Sequence, residues 1–256
     1  MSKLTKQIYQ KYVNSLGPEQ IASPKALRII ERYLEKFVEE ISISARNNLK
    51  ANSKKSCCTR SDKSQRVGGG GGAVVEIGSG IGTITDLIST KICNTIPKIP
   101  LICYEVNDFC IEQLYKNINF DFILIKNVEE IHSCNLRKHK SFLIIDEYIS
   151  DTETQLLLNE LSPRYVVIEG HRFRQRKAVA KSLLGKSIRI RFFGNSIDSV
   201  KGACVIIVGS ESRNVLTYLG YWRLILQSSL LVRKLLQAVG IKKRKFLNIF
   251  YRQNFL

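Results

Sequence analysis

Acidic residues are scarce in this chain of 256 residues: 22 Asp and Glu stand against 40 Lys and Arg, a formal net charge of +18. Such an imbalance implies an anionic partner, whether nucleic acid, an acidic membrane surface or an acidic small molecule. Histidine is scarcer still, with only three, and the seven cysteines (Cys57, Cys58, Cys93, Cys103, Cys110, Cys134 and Cys204) include no C-x-x-C pair. A zinc site wants paired ligand spacing, so no metal is expected. Several cysteines lie in apolar runs, such as Ile102-Cys103-Tyr104 and Ala203-Cys204-Val205, and read as free thiols of a protein in a reducing compartment. The N-terminal MSKLTKQIYQKY lacks the apolar stretch of a signal peptide, and a cytoplasmic location is expected. The hydrophobic (44%) and charged (24%) fractions are those of an ordinary globular chain, which excludes wholesale disorder and a polytopic membrane protein. At this length the fold needs neither disulfide nor metal to hold it.

Four segments follow from composition. Residues 1–49 read as helical, with Ser23 as N-cap and Pro24 at the first helical position. Leu27, Ile30, Leu34, Phe37, Val38 and Ile41 give that helix an apolar face. Residues 50–72 (ANSKKSCCTRSDKSQRVGGGGG from 51 on) are rich in Ser, Lys and Gly and read as a flexible basic linker. From residue 73 to 211, short apolar runs without polar alternation (73–77, 100–104, 122–125, 142–145 and 165–168) suit strands buried on both faces of a parallel sheet. Helical segments fall between them at 83–90, 109–117, 153–161 and 174–184, which predicts a doubly wound α/β sheet. Two further strands, 187–193 and 203–208, are joined by GNSIDSVKG, too short for a helix. They form an antiparallel terminal hairpin and bring the mostly parallel sheet to seven strands. Residues 212–256 read as a basic, amphipathic helical tail.

The sharpest local signal is Val74-Val75-Glu76-Ile77-Gly78-Ser79-Gly80-Ile81-Gly82. A buried strand runs into a glycine turn and then a helix, so the backbone can approach a ligand closely and the helix N-terminus can face polar groups. The third glycine follows one intervening residue instead of two, which departs from the dinucleotide fingerprint G-x-G-x-x-G. An acidic residue ahead of G-x-G-x-G resembles motif I of the class I S-adenosylmethionine-dependent methyltransferases, over about residues 73–208. The resemblance implies a Rossmann-like sheet with S-adenosylmethionine as cofactor, held by Glu76, Gly78, Ser79, Gly80 and Gly82. It further implies that Glu105, ending the second strand, accepts from the ribose hydroxyls. Asn127 and Val128, after the third strand, would flank the adenine, and Asp146, ending the fourth, would face the transferred methyl group.

Methyl transfer from a sulfonium is an in-line displacement, so the protein mainly positions the acceptor and, where needed, removes a proton. The run Asp146-Glu147-Tyr148-Ile149 lacks the prolines of the base N-methyltransferase motif Asn/Asp-Pro-Pro-Tyr. Asp146 and Glu169 end the fourth and fifth strands, where some O-methyltransferases bind metal, but Gly170 stands where a further ligand is expected. The candidate catalytic residues are therefore Asp146, Glu169 and His171, the last as general base. Tyr148, Arg172 and Arg174 are candidates for substrate binding.

The charge is not evenly spread. Residues 1–170 hold 22 basic and 20 acidic side chains, and residues 171–256 hold 18 basic and 2 acidic ones. Arg172, Arg174, Arg176, Lys177 and Lys181 begin the basic part. The expected function is a methyltransferase acting on RNA or another polyanion. The tail segment 214–241 is apolar but broken by Arg223 and Gln227-Ser228-Ser229, so it does not span a bilayer. It leaves open a peripheral contact with an anionic membrane, and with it an O-methyltransferase of a small or lipid-linked acceptor. A non-catalytic Rossmann-like nucleic-acid-binding protein is the remaining alternative. Oligomeric state is not legible.

Overall fold

The computed structural model describes residues 2–16, 22–55, 71–134, 136, 140–170, 173–183, 188–193 and 203–209. The tail 212–256, most of the linker and the pair His171-Arg172 lie outside the described residues.

Two helices, α1 (Lys3–Leu16) and α2 (Pro24–Lys55), come first. Ser23 caps α2: its hydroxyl accepts from the Ala26 N–H at 3.2 Å, and Pro24 takes the first helical position. The segment read as helical, 1–49, holds two helices, the second starting at Pro24. The second also runs to Lys55, into the stretch read as linker, because Asn47–Lys55 contains neither proline nor glycine to stop it.

Strands and helices then alternate: β1 (Gly72–Ile77), α3 (Thr83–Ile92), β2 (Leu101–Tyr104), α4 (Asp108–Asn117), β3 (Ile123–Ile125), a 3₁₀ turn (Val128–Cys134), β4 (Lys140–Ile145), α5 (Asp151–Glu160), β5 (Ser162–Glu169), α6 (Phe173–Ser182), β6 (Ile188–Phe193) and β7 (Ala203–Val208). They form an α/β fold around one sheet in the order β3-β2-β1-β4-β5-β7-β6. β1 through β5 are mutually parallel, and β7 runs antiparallel to both β5 and β6. The terminal hairpin therefore sits at the sheet edge, with β7 on the inside.

Alternation along each strand divides the core in two. Val74, Phe142, Ile144, Tyr165, Val167 and Val205 face α1, α2 and α3. Val75, Ile77, Leu143, Ile145, Val166, Ile168 and Ile206 face the 3₁₀ turn, α5 and α6. Both faces are covered, which is why the strands read as unbroken apolar runs.

The N-terminal helices are part of this core. Leu27, Ile30, Leu34, Phe37 and Ile41 on α2 are all buried. The Phe37 ring lies 5.8 Å from Phe142 and 6.5 Å from Tyr165, edge-on to the latter. Glu40 accepts from the Tyr165 hydroxyl (2.5 Å) and the Arg164 Nε (2.9 Å), which tie α2 to β5. The approach is close enough to exclude a side chain at Gly72, where a Cβ would lie 2.7 Å from Ile41 Cγ1 and 2.9 Å from Phe37 Cζ. The buried Glu31 of α2 joins three helices, accepting from Ser2 and Thr5 and pairing with Lys91 at 3.0 Å.

Phe37→Ala should cost about 3–5 kcal/mol of stability in urea denaturation. A loss below about 1 kcal/mol would mean that α2 is not part of the sheet's core.

Candidate functional site

The sheet order reverses between β1 and β4: the chain leaves β1 toward β2 on one side and returns to β4 on the other. At such a switch point the loops after the two strands diverge and leave a crevice at their C-terminal ends, where open α/β sheets bind ligands. The glycine turn lies at this point.

Gly78, Gly80 and Gly82 all have positive φ (81°, 53° and 96°), a conformation that side chains disfavour. The first two differ in their surroundings. A Cβ on Gly78 would lie 2.5 Å from Glu147 Cβ and 2.9 Å from the Glu147 nitrogen, so the β1 and β4 loops pass each other only because no side chain is there. A Cβ on Gly80 would meet nothing within 4 Å. Its glycine identity leaves open space at the crevice and serves no packing.

Glu105, at the end of β2 and nearly buried, fixes the turn. One carboxylate oxygen accepts from the Gly80 N–H at 2.7 Å; the other accepts from Val106 and Asn107 N–H at 3.0 and 2.9 Å. A carboxylate has roughly four acceptor positions, so one remains. Asn107 then caps α4 through the Cys110 N–H at 3.1 Å. From behind, Asn117 Nδ2 donates to the Ile81 carbonyl (2.9 Å) and the Tyr12 hydroxyl of α1 to the Gly82 carbonyl (3.3 Å). Burial and the neighbouring Asp86 hold the Tyr12 hydroxyl protonated, far above its ordinary range. Sequence reasoning missed Tyr12; its place in the apolar pattern of α1 gave no sign of a partner 70 residues on.

Glu76 lies beneath the turn with no exposed surface. Its Oε2 accepts from the Thr85 hydroxyl at 2.7 Å, and Cys103 Sγ lies 4.0 Å away. Its Oε1 has no partner, and neither do the buried Ser79 and Thr83 hydroxyls. An unpaired buried polar group costs about 1–3 kcal/mol, which a ligand or water would relieve. Burial pushes the Glu76 carboxyl up to about 8; the Thr85 hydroxyl opposes this, while the charges of Asp146 and Glu105 add to it.

The other expected residues are more dispersed. Asp146, half-buried, ends β4 with its N–H on the Ile77 carbonyl at 2.8 Å, beside the turn. Glu169 ends β5 opposite Ala203 of β7. Asn127 is exposed and caps the 3₁₀ turn by accepting from the Glu129 N–H at 3.0 Å; Val128 is wholly buried in the core. Tyr148 is 54% exposed, and Arg174 is exposed on α6. His171 and Arg172 lie outside the described residues. Among the described residues no group of three His, Cys, Asp or Glu is arranged to hold a metal, and no helix is long and apolar enough to cross a membrane. Cys103 and Cys204 are buried and form no disulfide, and burial pushes the Cys103 thiol well up.

No protein-family model matches this chain, and no curated protein does. Solved structures are similar to it. One is a precorrin-6y C5,15-methyltransferase from Geobacter metallireducens, at 12% identity and TM-score 0.41, covering 54% of this chain and 80% of that one. Another is a SAM-dependent methyltransferase from Aquifex aeolicus, at 12% identity and TM-score 0.37, covering 53% and 80%. A third is a fibrillarin/Nop5p complex, at 14% identity and TM-score 0.38, covering 53% and 71%. The chain's own strand order, with its reversal between β1 and β4, makes the sheet Rossmann-like.

The raised Glu76 carboxyl makes a pH prediction. Between pH 4.5 and about 8 the folded state keeps a proton that the unfolded state has lost, so stability falls as pH rises through this window. Glu76→Gln should remove that fall, and the variant should gain on the parent between pH 5 and pH 8 in urea denaturation. A constant difference would mean that Glu76 is ionised in the fold.

Proposed function

We propose that this chain is an S-adenosylmethionine-dependent methyltransferase whose acceptor is RNA or another polyanion. The observation that carries the reading is the open space in front of Gly80, at the β1/β4 switch point, where the Gly80 N–H is held by Glu105. Bare backbone beside a carboxylate suits a cofactor with hydroxyl and amino groups.

The donor set fits that cofactor. Gly78, Ser79, Gly80 and Gly82 would let its amino-acid end approach bare backbone; their own N–H groups are given to the Tyr104 and Ser79 carbonyls and to Glu105, which holds the turn in shape. Glu105 would use its remaining acceptor position for a ribose hydroxyl. Asn127 would border the adenine side, with Val128 anchoring that turn in the core. Glu76 would support the turn from below. Bound there, the cofactor supplies a methyl group on a sulfonium, an electrophile that needs no further activation. Asp146 places a carboxylate on the transfer side and favours a cationic ligand. Asp146 and Glu169 end adjacent parallel strands, paired up to Ile145 and Ile168, so either is placed to take a proton from the acceptor; His171 is the third candidate. Tyr148, Arg172 and Arg174 would receive the acceptor, in keeping with 18 basic against 2 acidic residues after position 170.

Isothermal calorimetry should find one S-adenosylmethionine site per chain, lost in Gly80→Arg, whose side chain would fill the open space. No binding by the parent, or equal binding by Gly80→Arg, would refute the cofactor site.

A further inference from the structure

We infer that the outer face of α6 is a phosphate-contacting track for single-stranded RNA, leading past Tyr148 to the crevice. The inference rests on the polyanion reading above and names the partner and the surface it uses.

Arg174, Lys177 and Lys181 are all exposed. Their spacing of three and seven residues puts them on one stripe, roughly 10 Å long at 1.5 Å per residue. α6 contains no acidic residue, and none of the three side chains has an ion-pair partner among the described residues. Several exposed lysines elsewhere are answered, Lys98 by Asp121, Lys116 by Glu112 and Lys126 by Asp108; Lys3 and Lys6 on α1 are not, among the described residues, and they lie across the sheet from the crevice loops. A row of unanswered cations is a surface for phosphates.

The same face argues against a membrane. Ala178, Val179 and Ala180 of α6 are turned into the core, and from Arg174 to Ser182 no large hydrophobic side chain is exposed. A helix lying on a bilayer needs an apolar wedge beside its cations, and this stretch offers none.

The track is fixed to the crevice. The Ile149 N–H donates to Gln175 Oε1 at 3.2 Å, and Gln175 Nε2 donates to the Thr154 hydroxyl at 2.6 Å. The Arg176 guanidinium donates to the Gly170 carbonyl. The first turn of α6 is thereby bound to the loop after β4 and the turn after β5, the loops that carry Asp146 and Glu169. Tyr148, on the first of these loops, is 54% exposed. An exposed ring on a loop bound to a cation-bearing helix suits single strands, with bases on the ring and phosphates on the charges; a duplex keeps its base faces covered.

The test uses the full chain and a short fluorescein-labelled single-stranded RNA of mixed sequence, with anisotropy measured over a series of KCl concentrations. Replacing Arg174, Lys177 and Lys181 together by Gln should weaken binding about tenfold or more at roughly 0.1 M salt. It should flatten the log–log salt slope by about 2, at roughly 0.7 per lost phosphate contact on a single strand. Tyr148→Ala should cost about tenfold with the slope unchanged. Lys3, Lys6 and Arg28 are exposed on α1 and α2, across the sheet; replacing these three by Gln removes the same charge and should leave the RNA affinity nearly unmoved. Thermal melts confirm that each variant folds. Unchanged RNA binding by the α6 variant, an equal loss in the α1/α2 variant, or no RNA binding by the parent would each overturn the inference. So would an α6 variant that loses only its binding to phosphatidylserine vesicles. Calorimetry of the parent with S-adenosylmethionine reports separately on the cofactor site, so failure of the track and failure of the methyltransferase reading are distinct.

Discussion

The Glu105 carboxylate sets the shape of the site. It accepts from Gly80 on one loop and from Val106 and Asn107 on another, and so ties the turns after β1 and β2 into one rim. Charge-assisted bonds of this kind are roughly twice as strong as neutral ones. On the other side, the missing side chain of Gly78 lets the β4 loop pass within contact. The crevice is what lies between these two constraints. Beneath the turn, the unpartnered Glu76 Oε1 is an energetic cost of this arrangement.

The N-terminal helices reach this rim as well as the core. α2 spans the sheet and forces glycine at position 72; α1 brings Tyr12 against the Gly82 carbonyl and Lys11 to Asp86 at 2.7 Å, just inside α3. The glycine turn therefore rests in part on α1, whose Tyr12 precedes Gly82 by 70 residues. Any loosening of α1 or α2 would be felt at the turn through those contacts.

What the sequence disclosed follows from how local the causes are. The parallel strands were legible because both faces are buried and the apolar runs are unbroken, and α2 because Ser23-Pro24 starts it and Leu27 to Ile41 repeat on one face. The glycine turn was legible because positive φ selects glycine at the positions themselves. The N-terminal segment was expected as helical, ahead of the sheet; that it covers one sheet face together with α3 depends on contacts such as Phe37 with Phe142, which leave no local trace. The three N–H groups on Glu105, and the burial of Glu76 and Val128, were hidden for the same reason. The excess charge was legible only as a sum. On α6 it resolves into three side chains with no acid to answer them among the described residues, on a helix bonded to the loop that bears Asp146.

The central claim is that the β1/β4 switch point is a cofactor site. A crystal structure of the protein grown with S-adenosylhomocysteine tests it most directly. The account predicts ligand density against Gly80, with the ribose at Glu105 and the sulfur toward Asp146. Density elsewhere, or a crevice left without ligand at saturating concentration, would contradict it.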